Sequence, residues 1–427
     1  MLTMKLLASF SLILLIFSVV EGIEKNEFDF SKIGEMLKEA AEKVRDGLNP
    51  DTGLNISQFL DKYQYPLEFH EVTTEDGYIL TLHRVPHGTN KTEEIQQKPA
   101  ILLVHCLACS SMDWIWQGPN RSLGLILADK GYDVWLANTR GNAHSLNHET
   151  LTPQNASYWD FSFHEKGYYD MAANIDYILN VTGLSNITYI GHSQGTTDGL
   201  VLTSSRPEYN EKLNLMVLLS PIGYLEHMAS PLVQLLVDYN SLIKTVLHLF
   251  NIYGYQYNPF TGYLGEIVCN ENSPLQGLCI LVMDLFAGFD FEQVDKSALT
   301  VFLTNSPNGI SYRDIEHYTQ EVTSAQFRQY DYGNSISNFI HYGQSEPPSY
   351  NISNIKVPLA VYYAKNDFMA AVEDVERLLS ELQAPIVEKH LIEYEKFNHL
   401  DFIIAKDVKK LLYDRVLSLI QKQIPVI

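Results

Sequence analysis

Gly191-His192-Ser193-Gln194-Gly195 stands between two kinds of local pattern. Before it, Leu184-Ser185-Asn186-Ile187-Thr188-Tyr189-Ile190 ends in alternating β-formers. After it, Thr196-Thr197-Asp198-Gly199-Leu200-Val201-Leu202 can begin a helix. Strand, Gly-x-Ser-x-Gly and helix in that order is the context of a sharp turn that lifts a serine above the end of its strand. In so tight a turn the side chains two residues before and two residues after the serine collide, so both places call for glycine. Gly191 and Gly195 fill them. Ser193 is therefore the candidate nucleophile, its backbone strained and its hydroxyl exposed.

The rest of the chain alternates around this turn. Short apolar, β-rich runs occur at 100–105, 132–137, 187–191, 215–220, 358–363 and 387–394, with helical patterns between most of them. Such alternation predicts an α/β fold with a mainly parallel sheet covered by helices on both faces. Residues 69–85 read as a hairpin turning at Glu75-Asp76-Gly77. Between 223 and 356 no sheet strand is evident. There, 232–250 is densely apolar at helical spacing and 280–289 is apolar and nearly uncharged. The expected layout is a core of 55–222 and 357–427, interrupted by a largely helical cap insertion at 223–356. A segment at 23–54 precedes the core. Ile33, Leu37, Ala40 and Val44 in it keep helical spacing, with a stop at Gly47 and Pro50.

A serine is a poor nucleophile until a base takes its proton. In a sheet of this kind the partners follow in the chain order serine, acid, histidine. Asp367 comes directly after the run at 358–363, and His399 comes after the run at 387–394. Ser193, Asp367 and His399 are thus the candidate catalytic residues. His399 serves as base and then acid, and Asp367 fixes the imidazole tautomer. Asp374 and Asp401 are fallback acids, but neither immediately follows a strand. The oxyanion needs two backbone N–H donors. Gln194, next to the nucleophile, supplies one, and Leu107, in the loop after the run at 100–105, is assigned the other. This chemistry calls for no metal and no cofactor.

Composition bounds the setting. The 427 residues hold 51 acidic and 30 basic side chains, a formal net charge of −21 spread along the chain, which excludes nucleic acid as a partner class. Lys5 followed by an apolar stretch at 6–20, with small residues at Val20 and Gly22, reads as a signal peptide cleaved after Gly22. That stretch is short for a transmembrane anchor, and no later segment is long and apolar enough. The expected destination is secretion or the lysosome. Sequons at Asn55, Asn90, Asn120, Asn155, Asn180, Asn186 and Asn351 suit a glycosylated surface. Cys269 and Cys279 are close in sequence and are paired here as a disulfide. Cys106 and Cys109 form a C-x-x-C with no further metal ligands evident nearby, and read either as two free thiols or as a local disulfide.

The chain resembles the acid lipase family of α/β-hydrolases, which includes gastric and lysosomal acid lipases and insect and nematode relatives. The resemblance rests on Asn55-Ile56-Ser57-Gln58, Tyr65-Pro66, Thr74-Glu75-Asp76-Gly77-Tyr78-Ile79-Leu80, Gly131-Tyr132-Asp133-Val134-Trp135-Leu136-Ala137-Asn138, Thr139-Arg140-Gly141-Asn142, Gly191-His192-Ser193-Gln194-Gly195-Thr196-Thr197, His317-Tyr318-Thr319-Gln320, Tyr330-Asp331-Tyr332-Gly333, Pro347-Pro348 and Asn398-His399-Leu400-Asp401-Phe402. It implies an α/β-hydrolase fold and the same Ser193, Asp367, His399, Leu107 and Gln194. It also implies a Cys269–Cys279 disulfide and a cap over the site. Cys106 stands where the family usually has glycine, and Ala364-Lys365-Asn366-Asp367 where many members have Gly-Gly-Lys-Asp. The expected activity is hydrolysis of fatty-acid esters, triacylglycerol or cholesteryl ester, at a lipid–water interface. The rivals are a soluble carboxylesterase and a catalytically weak lipid-binding protein on the same fold. Epoxide hydrolysis and dehalogenation on this fold generally want aspartate where this chain has Ser193.

Overall fold

The computed structural model describes residues 49–89 and 97–426. The expected signal peptide, the helix at 33–44 and the sequon at Asn90 lie outside the described residues.

Eight strands make the path of the main sheet: β1 (Glu68–Thr73), β2 (Tyr78–Val85), β3 (Ala100–Val104), β4 (Asp133–Leu136), β5 (Ile187–His192), β6 (Leu213–Leu219), β7 (Leu359–Tyr363) and β8 (Ile386–Leu391). Their spatial order is β1-β2-β4-β3-β5-β6-β7-β8. From β4 to β8 every neighbour is parallel, while β1 and β2 form the expected antiparallel hairpin, and β2 meets β4 antiparallel. The two-residue stretch Asn147–His148 adds to β2. The last strand stops short of the expected 394. The Ile392 amide donates to the Tyr363 carbonyl at 2.9 Å, and β7 ends there, so the chain beyond has no neighbour to pair with.

The central strands β3 to β7 are buried on both faces, as expected of a parallel sheet covered by helices, while β1 and β8 at the edges are largely open to solvent. Ile101 and Leu103 of β3 join Val134, Leu136, Ile190 and Val217 in one apolar cluster. Leu102 and Val104 point the other way and join Trp135, Tyr189, Met216 and Leu218. Helices α1 (Leu123–Asp129), α2 (Ala172–Thr182) and α3 (Gln194–Ser205) connect these strands. α1 covers the first cluster through Leu125 and Leu127. α2 and α3 cover the second through Ile175, Ile178, Leu200 and Leu202.

No strand of the main sheet lies between Leu219 and Leu359. The interval holds α4 (Pro231–Leu249), α5 (Pro259–Cys269), α6 (Gln276–Ala287), α7 (Tyr312–Ser324) and α8 (Ser335–Tyr342), with a small ladder of Gly254–Tyr255 on Ile310–Ser311. After it, α9 (Val372–Glu381) packs on the second cluster and α10 (Asp414–Gln423) on the first.

Arg140, just past β4, is nearly inaccessible. Its Nε and backbone amide donate to the two carboxylate oxygens of buried Asp170 at 2.7 and 2.9 Å. Its other nitrogens reach both oxygens of Asp76 in the hairpin turn, and the guanidinium lies 3.9 Å from the centre of the Tyr78 ring. One cation thus fastens the hairpin to the turn after β4 and to the helical segment ending at α2. Replacing it takes away the counter-ion of Asp170 in the interior and leaves only the backbone amide at position 140 to bond it. Arg140→Met should destabilise the fold by about 3–5 kcal/mol. Denaturant unfolding of the two proteins measures this, and a loss under about 1 kcal/mol contradicts it.

Candidate active site

Ser193 is the residue between β5 and α3, at φ 54° and ψ −119°. Positive φ is uncommon for a residue with a side chain. The glycines on either side are needed for space. A Cβ on Gly191 would fall on the Gly195 carbonyl, and a Cβ on Gly195 would fall on the Val104 carbonyl of β3. The Ser193 amide donates to the Leu219 carbonyl of β6 at 3.1 Å, tying the turn to the next strand.

The structure brings the three expected side chains together. His399 Nε2 lies 2.8 Å from Ser193 Oγ. On the other side of the ring, His399 Nδ1 lies 2.9 and 3.1 Å from the Asp367 oxygens. The Met369 and Ala370 amides also donate to Asp367, at 2.9 and 2.8 Å. Burial drives the Asp367 carboxyl up. The charge of His399 and hydrogen bonds from His399, Ser220 and the Ala370 amide outweigh it and hold the group below its ordinary range. All of this sits in the interior, with Ser193 only 8% and His399 only 2% exposed.

The sequence reading missed two supporting residues. Ser220 Oγ donates to Asp367 Oδ2 at 2.5 Å and lies 2.8 Å from His399 Nδ1. The available signal was a hydroxyl right after the apolar run Leu215-Met216-Val217-Leu218-Leu219 of β6, directly before Pro221. His192 Nε2 donates to the His399 carbonyl at 2.9 Å. Burial, with the charge of His399, lowers its pKa to about 3, so this imidazole is neutral. The fallback acids do other work. Asp374 accepts from the His227 amide and ring. Asp401 accepts from the Asn398 amide at 2.7 Å, while Asn398 Oδ1 accepts from the Asp401 amide at 3.0 Å, which closes the loop bearing His399.

Leu107 sits in the turn from Cys106 to Cys109, where the Cys109 amide donates to the Cys106 carbonyl at 3.2 Å and Ala108 has φ 56°. Cys106 and Cys109 are bonded to each other, as are Cys269 at the end of α5 and Cys279 in α6. His105 donates from Nδ1 to the Cys106 carbonyl at 2.7 Å, which leaves Nε2 to accept from the Thr139 amide at 3.2 Å. The amides of Leu107 and Gln194 have no hydrogen-bond partner among the described residues. Of the sequons within the described residues, Asn55, Asn120, Asn155, Asn180 and Asn351 are exposed, and Asn186 is half-buried.

The segment from 284 to 290 closes over this site. The Ala287 carbonyl, at the end of α6, accepts from the Phe368 and His399 amides, each at 3.1 Å. The Gly288 carbonyl accepts from Asn398 Nδ2 at 2.8 Å, and the Phe289 carbonyl from Asn366 Nδ2 at 3.1 Å. Both loops carrying the acid and the base are therefore stitched to the same turn. Beside it lie three buried carboxyls, Asp284, Asp290 and Asp401; the side chains of the last two hydrogen-bond each other, and one oxygen of Asp284 lacks a partner among the described residues.

Comparison with known proteins agrees with this architecture. Residues 99–405 match the alpha/beta hydrolase fold family, and residues 56–118 match a partial alpha/beta-hydrolase lipase region. A crystal structure from Sulfolobus solfataricus matches with a TM-score of 0.50 at 15% identity, covering 83% of this chain and 99% of that one, a likeness of fold alone. The protein is thus an α/β-hydrolase. Gastric triacylglycerol lipase of Rattus norvegicus is 38% identical over 87% of this chain and 92% of its own. Lipase 3 of Drosophila melanogaster is 40% identical over 84% of this chain and 90% of its own. Lysosomal acid lipase/cholesteryl ester hydrolase of Macaca fascicularis is 36% identical over 88% of this chain and 92% of its own. The chain belongs to the gastric and lysosomal acid lipase family, and it is a serine ester hydrolase.

The three buried carboxyls bear on pH. Burial raises Asp284 to about 6, and the Asp290 charge adds to it while the Asp290 amide opposes it. Burial likewise lifts Asp290 and Asp401. A carboxyl that ionises near pH 4 unfolded and higher when folded holds more protons in the folded state, so stability falls as pH rises through that window. The unfolding midpoint should therefore drop between about pH 4 and about pH 6. Asp284→Asn should flatten the drop, and an unchanged slope in the variant would contradict the assignment.

Proposed function

We propose that this protein is a lipase that hydrolyses fatty-acid esters, triacylglycerol or cholesteryl ester, delivered at a lipid–water interface. The observation that carries the reading is the Ser193 Oγ to His399 Nε2 contact of 2.8 Å, continued through Nδ1 to Asp367. The relatives named for triacylglycerol and cholesteryl ester hydrolysis support the substrate class.

His399 takes the Ser193 proton as Oγ attacks the ester carbonyl, and Asp367 stabilises the imidazolium. The amides of Leu107 and Gln194 receive the oxyanion. His399 then protonates the departing alcohol. Water attacks the acyl-enzyme by the same route and releases the fatty acid. No step needs a metal or a cofactor.

The interval 223–356 is the cap of this reading. It holds the loops of Asp367 and His399 through the carbonyls at 287–289, and it exposes apolar residues outward: Tyr239, Leu242 and Leu249 on α4, and Ile336, Phe339 and Ile340 on α8. Such faces suit a lipid surface better than bulk water. Among the described residues no helix is long and apolar enough to cross a membrane. The exposed sequons fit a secreted or lysosomal glycoprotein, and the Cys269–Cys279 bond fits the same compartment.

Ser193→Ala should lower ester hydrolysis about 10⁴-fold or more, and an organophosphonate should label Ser193 alone, as peptide mapping will read. Retained activity, or a label on another serine, overturns the assignment. Hydrolysis of emulsified triolein and cholesteryl oleate, set beside a soluble short-chain ester, fixes the substrate class. With the emulsified esters, rate should rise steeply once substrate passes its solubility limit. Smooth saturation through that limit identifies a soluble carboxylesterase instead.

A further inference from the structure

Lys166 is the only lysine buried from solvent among the described residues. It begins a π-helical turn, Lys166–Met171, that continues the short helix Phe163–Glu165. The turn is pressed against α3: a Cβ on Gly167 would meet the Val201 Cβ at 2.7 Å. Lys166 Nζ donates to Asp314 Oδ2 at 2.5 Å and to Gln194 Oε1 at 3.0 Å. Gln194 Nε2 in turn donates to Asp314 Oδ1 at 2.8 Å. The three side chains close a ring, and all are buried.

The ring joins parts of the chain that are far apart in sequence. Lys166 belongs to the core, Gln194 is the first residue of α3, and Asp314 lies in the first turn of α7, within the 223–356 insertion. A second contact seats the same helix, since Tyr318 Oη donates to Thr197 Oγ1 at 3.2 Å. Asp198 is also buried, and neither of its carboxyl oxygens has a hydrogen-bond partner among the described residues. Burial raises its pKa well above the ordinary range against the pull of Lys166, with Asp314 and Asp170 adding to the rise. Of the two carboxyls near Lys166, Asp314 is the one that accepts its hydrogen bond.

Gln194 occupies the position where a helix leaves its first N–H groups unpaired. The direction of its amide follows the Ser193–Gln194 peptide plane, which is set on one side by the unusual ψ of Ser193 and on the other by whatever holds Gln194. We propose that Lys166 and Asp314 are positioning residues that clamp the Gln194 side chain and so aim its amide at the oxyanion. The consequence is that α7 stays docked during turnover, and the insertion opens elsewhere. This rests on the Ser193 reading above.

The test uses a soluble short-chain ester, with kcat expressed per active site titrated by an organophosphonate. Lys166→Met, Asp314→Asn and Gln194→Met should each lower kcat by about tenfold to a hundredfold, with KM within about twofold, since a misaimed group costs rate rather than binding. In the Lys166→Met/Asp314→Asn double variant, the carboxamide oxygen introduced on α7 can still accept from Gln194, and no buried charge is left over. Its kcat should return to within about threefold of the wild type, a recovery that non-additive coupling within one network allows. Unchanged kcat in the folded single variants overturns the proposal, as does a rise in KM at constant kcat. If Lys166→Met does not fold, Gln194→Met decides alone, because it leaves the ion pair intact. Activity surviving in Ser193→Ala would instead remove the underlying reading. Loss there, with full kcat in the ring variants, removes only this one.

Discussion

A serine with positive φ between a strand and a helix is the constraint on which the site depends. Holding a non-glycine residue in such a region costs about 1–3 kcal/mol, and it persists only where the surroundings leave no alternative. Here they do. The Ser193 amide is held by the β6 carbonyl of Leu219, and its own carbonyl accepts from the Thr196 amide and hydroxyl at 2.8 and 2.6 Å. Tyr189 Oη donates to the Gly195 carbonyl at 2.5 Å. Gly195 packs against the end of β3, so the positive end of the α3 dipole and its first free amides lie beside the turn that follows β3.

The remaining groups reach the same point because parallel strands all end on one edge. Ser193 follows β5, Ser220 follows β6, Asp367 follows β7, and His399 lies beyond β8. Four turns on neighbouring strands can therefore meet, although Ser193 and His399 are 206 residues apart in the chain. The polar groups satisfy one another in a dry interior, where an unmatched carboxylate would be costly. Asp367 has the imidazole, one hydroxyl and two amides around it, and its depressed pKa follows from that company.

The interval 223–356 contributes contacts to this machinery. Its carbonyls at 287–289 anchor the loops of Asp367 and His399, and its Asp314 meets Gln194 behind the nucleophile. An opening motion that kept these contacts would move the exposed apolar faces of α4 and α8 while leaving the end of α6 and the start of α7 in place.

Much of this was legible in the sequence. The glycines at 191 and 195 are there because a Cβ at either place has nowhere to go, and periodicity reads such local steric demands directly. The order Ser193, Asp367, His399 was legible because each comes after a short β-rich run set off from the helical patterns around it. The Cys106–Cys109 bond was left open, because either state suits a C-x-x-C and only the folded turn brings the sulfurs together. Ser220, His192, Lys166 and Asp314 could not be assigned roles from the chain alone. A serine before a proline, or a lysine within an aromatic stretch, looks like any surface residue until the sheet order and the docking of α7 bury it. Local backbone geometry and strand order are properties of neighbouring residues, so the sequence determined them. Which distant polar groups share a buried space is set by packing between elements, and the tertiary structure alone decided it.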